Sequence, residues 1–206
     1  MSEEKRIGIM GGTFDPIHNG HLRMGEAAWR EFALDEVWFM PTGTPAYKNG
    51  QHRVTQKEHR AAMTELAVRE FGWARCSRIE VERSGNTYTA DTLTELTEEY
   101  PDTSFYYIVG ADSLNYMDRW YHPERIFQKA CVAVAMRSTQ SQNAVAGKIR
   151  ALTAQFGARI ILMHQEEYDI SSTELRTMIA GGKDISSYVP KQVQDYIREH
   201  NLYREL

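Results

Sequence analysis

Cysteine is almost missing from this chain: Cys76 and Cys131 are the only two in 206 residues. Both sit in apolar, strand-like runs far apart in sequence, which suits buried free thiols in a reducing compartment better than a disulfide framework. Long hydrophobic runs are missing too, since no stretch approaches the ~18 apolar residues of a membrane span. Met1 to Arg6 is polar, with no apolar core of a signal peptide. A cytoplasmic protein, neither exported nor inserted, is expected. Positive charge is in deficit: 24 Lys and Arg face 28 Asp and Glu, a formal net charge of −4. That argues against a nucleic-acid binder held by bulk electrostatics, so any phosphate binding must come from a local site, and the expected ligand is small. There is no internal repeat and no low-complexity tract.

The length fits one α/β domain, and the 42% of hydrophobic residues is ample for its core. The chain is organised around Gly11-Gly12-Thr13-Phe14-Asp15-Pro16-Ile17-His18-Asn19-Gly20-His21-Leu22, which follows the apolar run Ile7 to Met10 and opens an amphipathic segment. This reads as strand, tight loop, helix start. The two glycines let the backbone approach a ligand closely, Asn19 is a candidate N-cap, and the His18–His21 spacing sets both imidazoles beside a first helical turn. There, free N–H groups and the helix dipole favour an anion. The glycine spacing is neither that of a Walker A loop nor the dinucleotide-binding Gly-x-Gly-x-x-Gly.

Further along, a helix over about 20–33 and a strand over 36–40 complete a βαβ unit. Pro41 to Gly50 reads as an extended loop whose one charge is Lys48, and Thr55 to Glu58 as a capping box opening a helix whose face carries Arg60, Met63, Leu66 and Ala67. The loose alternation over 74–82 predicts a strand. A helix marked by Leu93 and Leu96 and a strand over 104–109 follow. That strand ends at Gly110 and Asp112, where a parallel sheet presents its ligands. A strand over 131–136, a helix over 141–156 and a strand over 159–163 come next. Ile170-Ser171-Ser172-Thr173-Glu174-Leu175-Arg176 has capping-box spacing between Ser171 and Glu174, which makes its helix start a second anion site. A final amphipathic helix follows Tyr188-Val189-Pro190.

The string Gly-Thr-Phe-Asp-Pro-x-His-x-Gly-His, paired with Ile-Ser-Ser-Thr-x-x-Arg, resembles the HxGH nucleotidyltransferase superfamily. Arg60 to Met63, Glu80, Arg83 and Gly85, Tyr88-Thr89-Ala90-Asp91-Thr92-Leu93, Gly110-Ala111-Asp112-Ser113, Trp120 and Tyr188-Val189-Pro190 are similar, in order and spacing, to bacterial nicotinate mononucleotide adenylyltransferase. The similarity spans nearly the whole chain. It implies a doubly wound parallel sheet, the Rossmann-like nucleotidyltransferase fold, in a single domain over residues 1–206 whose helical part from about 170 carries the second motif. One departure stands out: the family loop usually ends Pro-Pro-His-Lys, whereas Tyr47 precedes Lys48 here, so the lysine carries over and the histidine's role does not.

The resemblance implies AMP transfer from ATP to nicotinate mononucleotide, with release of pyrophosphate. It assigns His18, His21 and Arg176 to catalysis. Gly11, Gly12, Thr13, Phe14, Gly110, Asp112, Ile170, Ser171, Ser172 and Thr173, with the catalytic three, would bind ATP. Lys48, Tyr88, Thr89, Trp120 and Tyr121 would bind the mononucleotide. Mg²⁺ is expected mainly on the ATP phosphates, with no protein cage, because this ion keeps its waters and needs few protein ligands. No nucleic acid or membrane partner is implied, and a homo-oligomer stays open. Two alternatives share the end motifs: a phosphopantetheine adenylyltransferase-like enzyme, and a nucleotide sensor that kept the fold without turnover.

Overall fold

A computed structural model describes residues 4–45, 54–136, 141–164, 168 and 170–204. In chain order these form β1 (Lys5–Gly12), α1 (Asn19–Glu31), β2 (Glu36–Pro41), β3 (Thr44–Pro45), α2 (Lys57–Val68), β4 (Ala74–Cys76), α3 (Ile79–Glu82), β5 (Asn86–Thr87) and α4 (Thr89–Glu99). Then come β6 (Thr103–Gly110), α5 (Ala111–Leu114), α6 (Pro123–Lys129), β7 (Ala130–Ala135), α7 (Gln142–Phe156), β8 (Ile160–Met163), α8 (Ser172–Ala180) and α9 (Lys191–Glu199). A 3-10 turn at Met117–Arg119 lies between α5 and α6.

Six strands make one parallel sheet in the order β4-β2-β1-β6-β7-β8, and β3 pairs in parallel with β5 apart from it. The order reverses at β1: β2 lies on one side, and β6, β7 and β8 follow on the other. This is the doubly wound arrangement that the family resemblance implied. β7, Ala-Cys-Val-Ala-Val-Ala, is apolar throughout because a parallel strand is covered on both faces, and its register sets Gly110 of β6 against Ala135. Leu162 of the edge strand β8 is exposed, as an edge permits.

Three local expectations are corrected. Over 74–82 only Ala74–Cys76 is strand and Ile79–Glu82 is a short helix, because Ser77 still bonds the Phe39 carbonyl and pairing stops there. The capping box at Thr55 does not form. Gln56 holds the cap position of α2 without a side-chain bond, and the Thr55 N–H donates instead to the Asp15 carboxylate. The 41–50 loop contains a short strand, Thr44–Pro45, while Tyr47 and Lys48 lie outside the described residues.

The chain divides into two interleaved compact units. The first is Met1–Gly11, Met24–Trp38 and Tyr88–Glu167, and the second is Gly12–Arg23, Phe39–Thr87 and Tyr168–Leu206. In the first, Ile7, Ile9, Leu93, Leu96, Phe105, Ile108, Phe127 and Val132 are buried. In the second, Ile17, Phe39, Met40, Met63, Leu175 and Val193 are buried, and so is one arginine, Arg60, which is 1% exposed. Its guanidinium donates to the carbonyls of Thr55 at 2.9 Å, Thr13 at 2.6 Å, Thr42 at 2.6 Å and Gly43 at 2.8 Å. A buried charge survives only with such bonding.

Arg60→Met, which keeps the apolar stem and strips the donors, should therefore cost about 3 kcal/mol or more in chemical denaturation, since four carbonyls lose a charged donor together. Arg60→Lys should recover only part of that, because an ammonium cannot reproduce the planar fork.

Candidate active site

Within the second unit the loop after β1 is held by its carbonyls. Thr13 accepts from Arg60 at 2.6 Å, Asp15 accepts from Arg176 Nη1 at 2.8 Å, and Pro16 accepts from the Ser172 hydroxyl at 2.9 Å. The two motifs at opposite ends of the chain thus meet at this loop. Phe14 sits at φ +48°, where a bulky residue costs energy, and it is compensated by burial of its ring. That ring fills the space over Gly12: a Cβ there would stand 2.8 Å from it. In the first unit, a Cβ on Gly11 would stand 2.9 Å from the Tyr107 hydroxyl. Both glycines are required by the protein's own side chains.

His18 precedes α1 and is buried. Its carbonyl accepts from the N–H groups of His21 and Leu22, while its own N–H donates to His21 Nδ1 at 3.3 Å. The two imidazoles stack with centroids 3.7 Å apart, and Phe14 meets His21 edge-on. Gly20 makes this stack possible, because a Cβ on it would press against His18 Nδ1 at 3.0 Å. Asn19 is not the cap. It is the first helical residue, and its amide donates to the Ser187 carbonyl at 3.2 Å. Burial, and secondarily the neighbouring His18, hold the His21 imidazole well below its ordinary value. It is neutral at pH 7, and an arriving anion would offset both causes.

α8 begins with the expected capping box: Ser171 accepts from the Glu174 N–H, and Glu174 accepts from the Ser171 N–H. Ile170 is buried just before it. The hydroxyls of this motif are used inside the protein, Ser172 on Pro16 and Thr173 as acceptor from Arg176 Nη2 at 3.2 Å. Arg176 Nε is buried without a hydrogen-bond partner among the described residues.

In the first unit, Thr89 opens α4 and its hydroxyl bonds Tyr107 at 3.2 Å; Tyr107 in turn meets Trp120 edge-on with centroids 6.2 Å apart. Tyr88 and Tyr121 form a second ring pair at 4.3 Å. Tyr88 caps α4 without a side-chain bond, which leaves the first N–H groups of the helix without a side-chain cap. Gly110 ends β6 with open space at its Cα, and Asp112 lies exposed in α5. β1 and β6 are the neighbours at which the strand order reverses, the position where open α/β sheets bind ligands.

Sequence reading gave no separate role to Asp15, Tyr107 or Tyr203 and took Arg60 as a core position within a stretch similar to the family. Asp15 is 2% exposed and accepts from Tyr203 and from the Thr55 N–H. A charged residue on an otherwise apolar helix face was the available signal for Arg60. Tyr203 offered none.

The lowered His21 value gives a pH dependence with a definite sign. Below about pH 6.5 the unfolded chain takes up a proton that the folded histidine refuses. Stability from this source is complete above that pH and is lost as pH falls further. Denaturation midpoints should drop on acidification below about pH 6.5, and less steeply in His21→Ala.

Residues 9–178 match the cytidylyltransferase-like family. A probable nicotinate-nucleotide adenylyltransferase of Lachnoclostridium phytofermentans is 40% identical over 97% of this chain and 99% of its own length. One of Bacillus cytotoxicus is 36% identical over 97% of this chain and 98% of its own. Among solved structures, Plasmodium falciparum nicotinic acid mononucleotide adenylyltransferase complexed with NaAD superposes with a TM-score of 0.77 at 23% identity, covering 97% of this chain and 98% of that one. The same enzyme complexed with APC gives 0.75 at 22% identity, with the same coverage. The shared fold, the loop held between the two motifs and full-length similarity agree: the chain belongs to the cytidylyltransferase-like family and, within it, to the nicotinate-nucleotide adenylyltransferases.

Proposed function

We propose that the chain transfers AMP from ATP to nicotinate mononucleotide, giving nicotinic acid adenine dinucleotide and pyrophosphate. The observation that carries this reading is the stacked His18–His21 pair at the start of α1, beside a loop whose carbonyls are bound by Arg60, Arg176 and Ser172. A 5′-phosphate oxygen attacks the α-phosphorus and pyrophosphate leaves. The attacking monoester is already anionic near neutral pH, so the obstacle is charge repulsion and charge build-up, and no enzyme nucleophile is required. His18 and His21 donate to the phosphates, the unspent Arg176 Nε meets the departing pyrophosphate, and the N–H groups around Gly11 to Phe14 and Ile170 to Thr173 complete the ATP contacts. Gly110 and Asp112 serve the adenosine ribose. The whole chain acts as one nucleotidyltransferase domain in the cytoplasm.

Mg²⁺ bound to the ATP phosphates would supply neutralisation of the triphosphate charge. The residues fit an ion carried by the nucleotide: both carboxylate oxygens of Asp15, the acid nearest the histidines in sequence, already accept hydrogen bonds, from Tyr203 and from the Thr55 N–H.

The acceptor ring belongs with Tyr88, Thr89, Trp120 and Tyr121, and its phosphate with Lys48. The uncapped start of α4 supports the acid form, because helix N–H groups favour a carboxylate over a neutral amide.

With ATP and Mg²⁺, pyrophosphate release should be faster with nicotinate than with nicotinamide mononucleotide, by about tenfold or more in kcat/KM, whereas equal values would reject the nicotinate assignment. Release with phosphopantetheine alone would select the other acceptor. His18→Ala and His21→Ala should each lose ~2–4 kcal/mol of transition-state stabilisation while remaining folded. Lys48→Met should weaken the mononucleotide and spare ATP in calorimetry; the reverse pattern would move Lys48 to the ATP side.

A further inference from the structure

Tyr203 lies beyond α9, yet its hydroxyl reaches back to Asp15 Oδ1 at 2.7 Å. Asp15 is 2% exposed, and its second oxygen accepts the Thr55 N–H at 3.3 Å. Tyr203 holds φ +62°, a left-handed conformation unfavourable to an aromatic residue, whereas Asn201 at φ +52° is an ordinary left-handed residue ending α9. A cavity of about 520 Å³ is lined by Leu202 and Arg204, the two neighbours of Tyr203, with Ile179, Lys183, Ile197 and Arg198 among the rest. The segment is held to α9 by the Asn201 N–H on the Arg198 carbonyl and the Leu202 N–H on the Ile197 carbonyl, and to the loop after β1 by the bond of Tyr203 to a buried carboxylate, a strong kind of hydrogen bond. Burial, with the Asp15 carboxylate beside it, pushes the Tyr203 phenol above its ordinary value, so the hydroxyl keeps its proton and stays the donor.

Asp15 is also the residue whose carbonyl Arg176 binds, three positions before His18. We propose that Tyr203 is a positioning residue for the phosphate loop: acting through the Asp15 carboxylate, its hydroxyl fixes Thr13 to Pro16 and, with them, the His18–His21 stack. The kinetic part of this proposal rests on the adenylyl-transfer reading; the structural part does not.

Tyr203→Phe keeps the ring and removes only the O–H. In the full chain, kcat/KM for ATP should fall about tenfold or more at temperatures well below melting, while KM for nicotinate mononucleotide stays within about twofold. Amide hydrogen exchange in residues 12–18 should accelerate. On an Asp15→Ala background, which removes the acceptor, the same substitution should cost less than about twofold. A merely structural tail would lower the melting temperature and leave both kinetics and loop exchange as in the wild type, which overturns the proposal; so does a full loss on the Asp15→Ala background. If the wild type releases no pyrophosphate but loop exchange still accelerates in Tyr203→Phe, the adenylyl-transfer reading fails while the positioning role stands.

Discussion

Three side chains binding three carbonyls of one short loop are the constraint on which the site depends. Thr13, Asp15 and Pro16 carry a strained Phe14 and lead directly into His18. Without external donors, a loop of this kind would have buried carbonyls unpaired and a bulky residue at positive φ uncompensated. The donors come from α2 and α8, so the helices of the second unit are organised as supports for the loop as much as layers of a core. Arg60 shows this best: a guanidinium in a position that packing alone would give to an aliphatic residue.

From the clamped loop follows the state of the histidines. α1 starts at a fixed place, Gly20 leaves room for the His18 ring, and the second imidazole stacks on it at 3.7 Å. Burial, and secondarily the neighbouring His18 imidazole, holds the His21 value well below its ordinary one, so His21 is neutral at pH 7. In a chain of net charge −4, the phosphate site proposed at this pair would work without a basic face.

Much of this was legible in the sequence, and the parts that were not share a cause. The βαβ alternation and the capping box at Ser171 are local or periodic features, the doubly wound order was implied by the family resemblance, and each is found in the structure. The roles of Ser172 and Arg176 were only half legible. Their motif marks them, but nothing in it says that their first partners are the Pro16 and Asp15 carbonyls. The Thr55 box failed because a tertiary partner, the Asp15 carboxylate, took the Thr55 N–H; the Asn19 cap failed because the helix begins at Asn19 itself, whose side-chain NH₂ donates to the Ser187 carbonyl. Tyr203 is the extreme case, a residue whose partner lies at the other end of the chain. Over 74–82 the alternation was too weak to tell a strand that ends early from one that continues.

The proposal that the stacked His18–His21 pair, with a neutral His21, binds the phosphates of ATP is tested most directly by titrating Mg-ATP into the protein calorimetrically, near pH 7, in buffers of different ionisation enthalpy. The account predicts net proton uptake on binding in the wild type, because the triphosphate raises the lowered His21 value toward and past the working pH, and loss of most of that uptake in His21→Ala. ATP binding with no proton uptake, or uptake unchanged in His21→Ala, would contradict it.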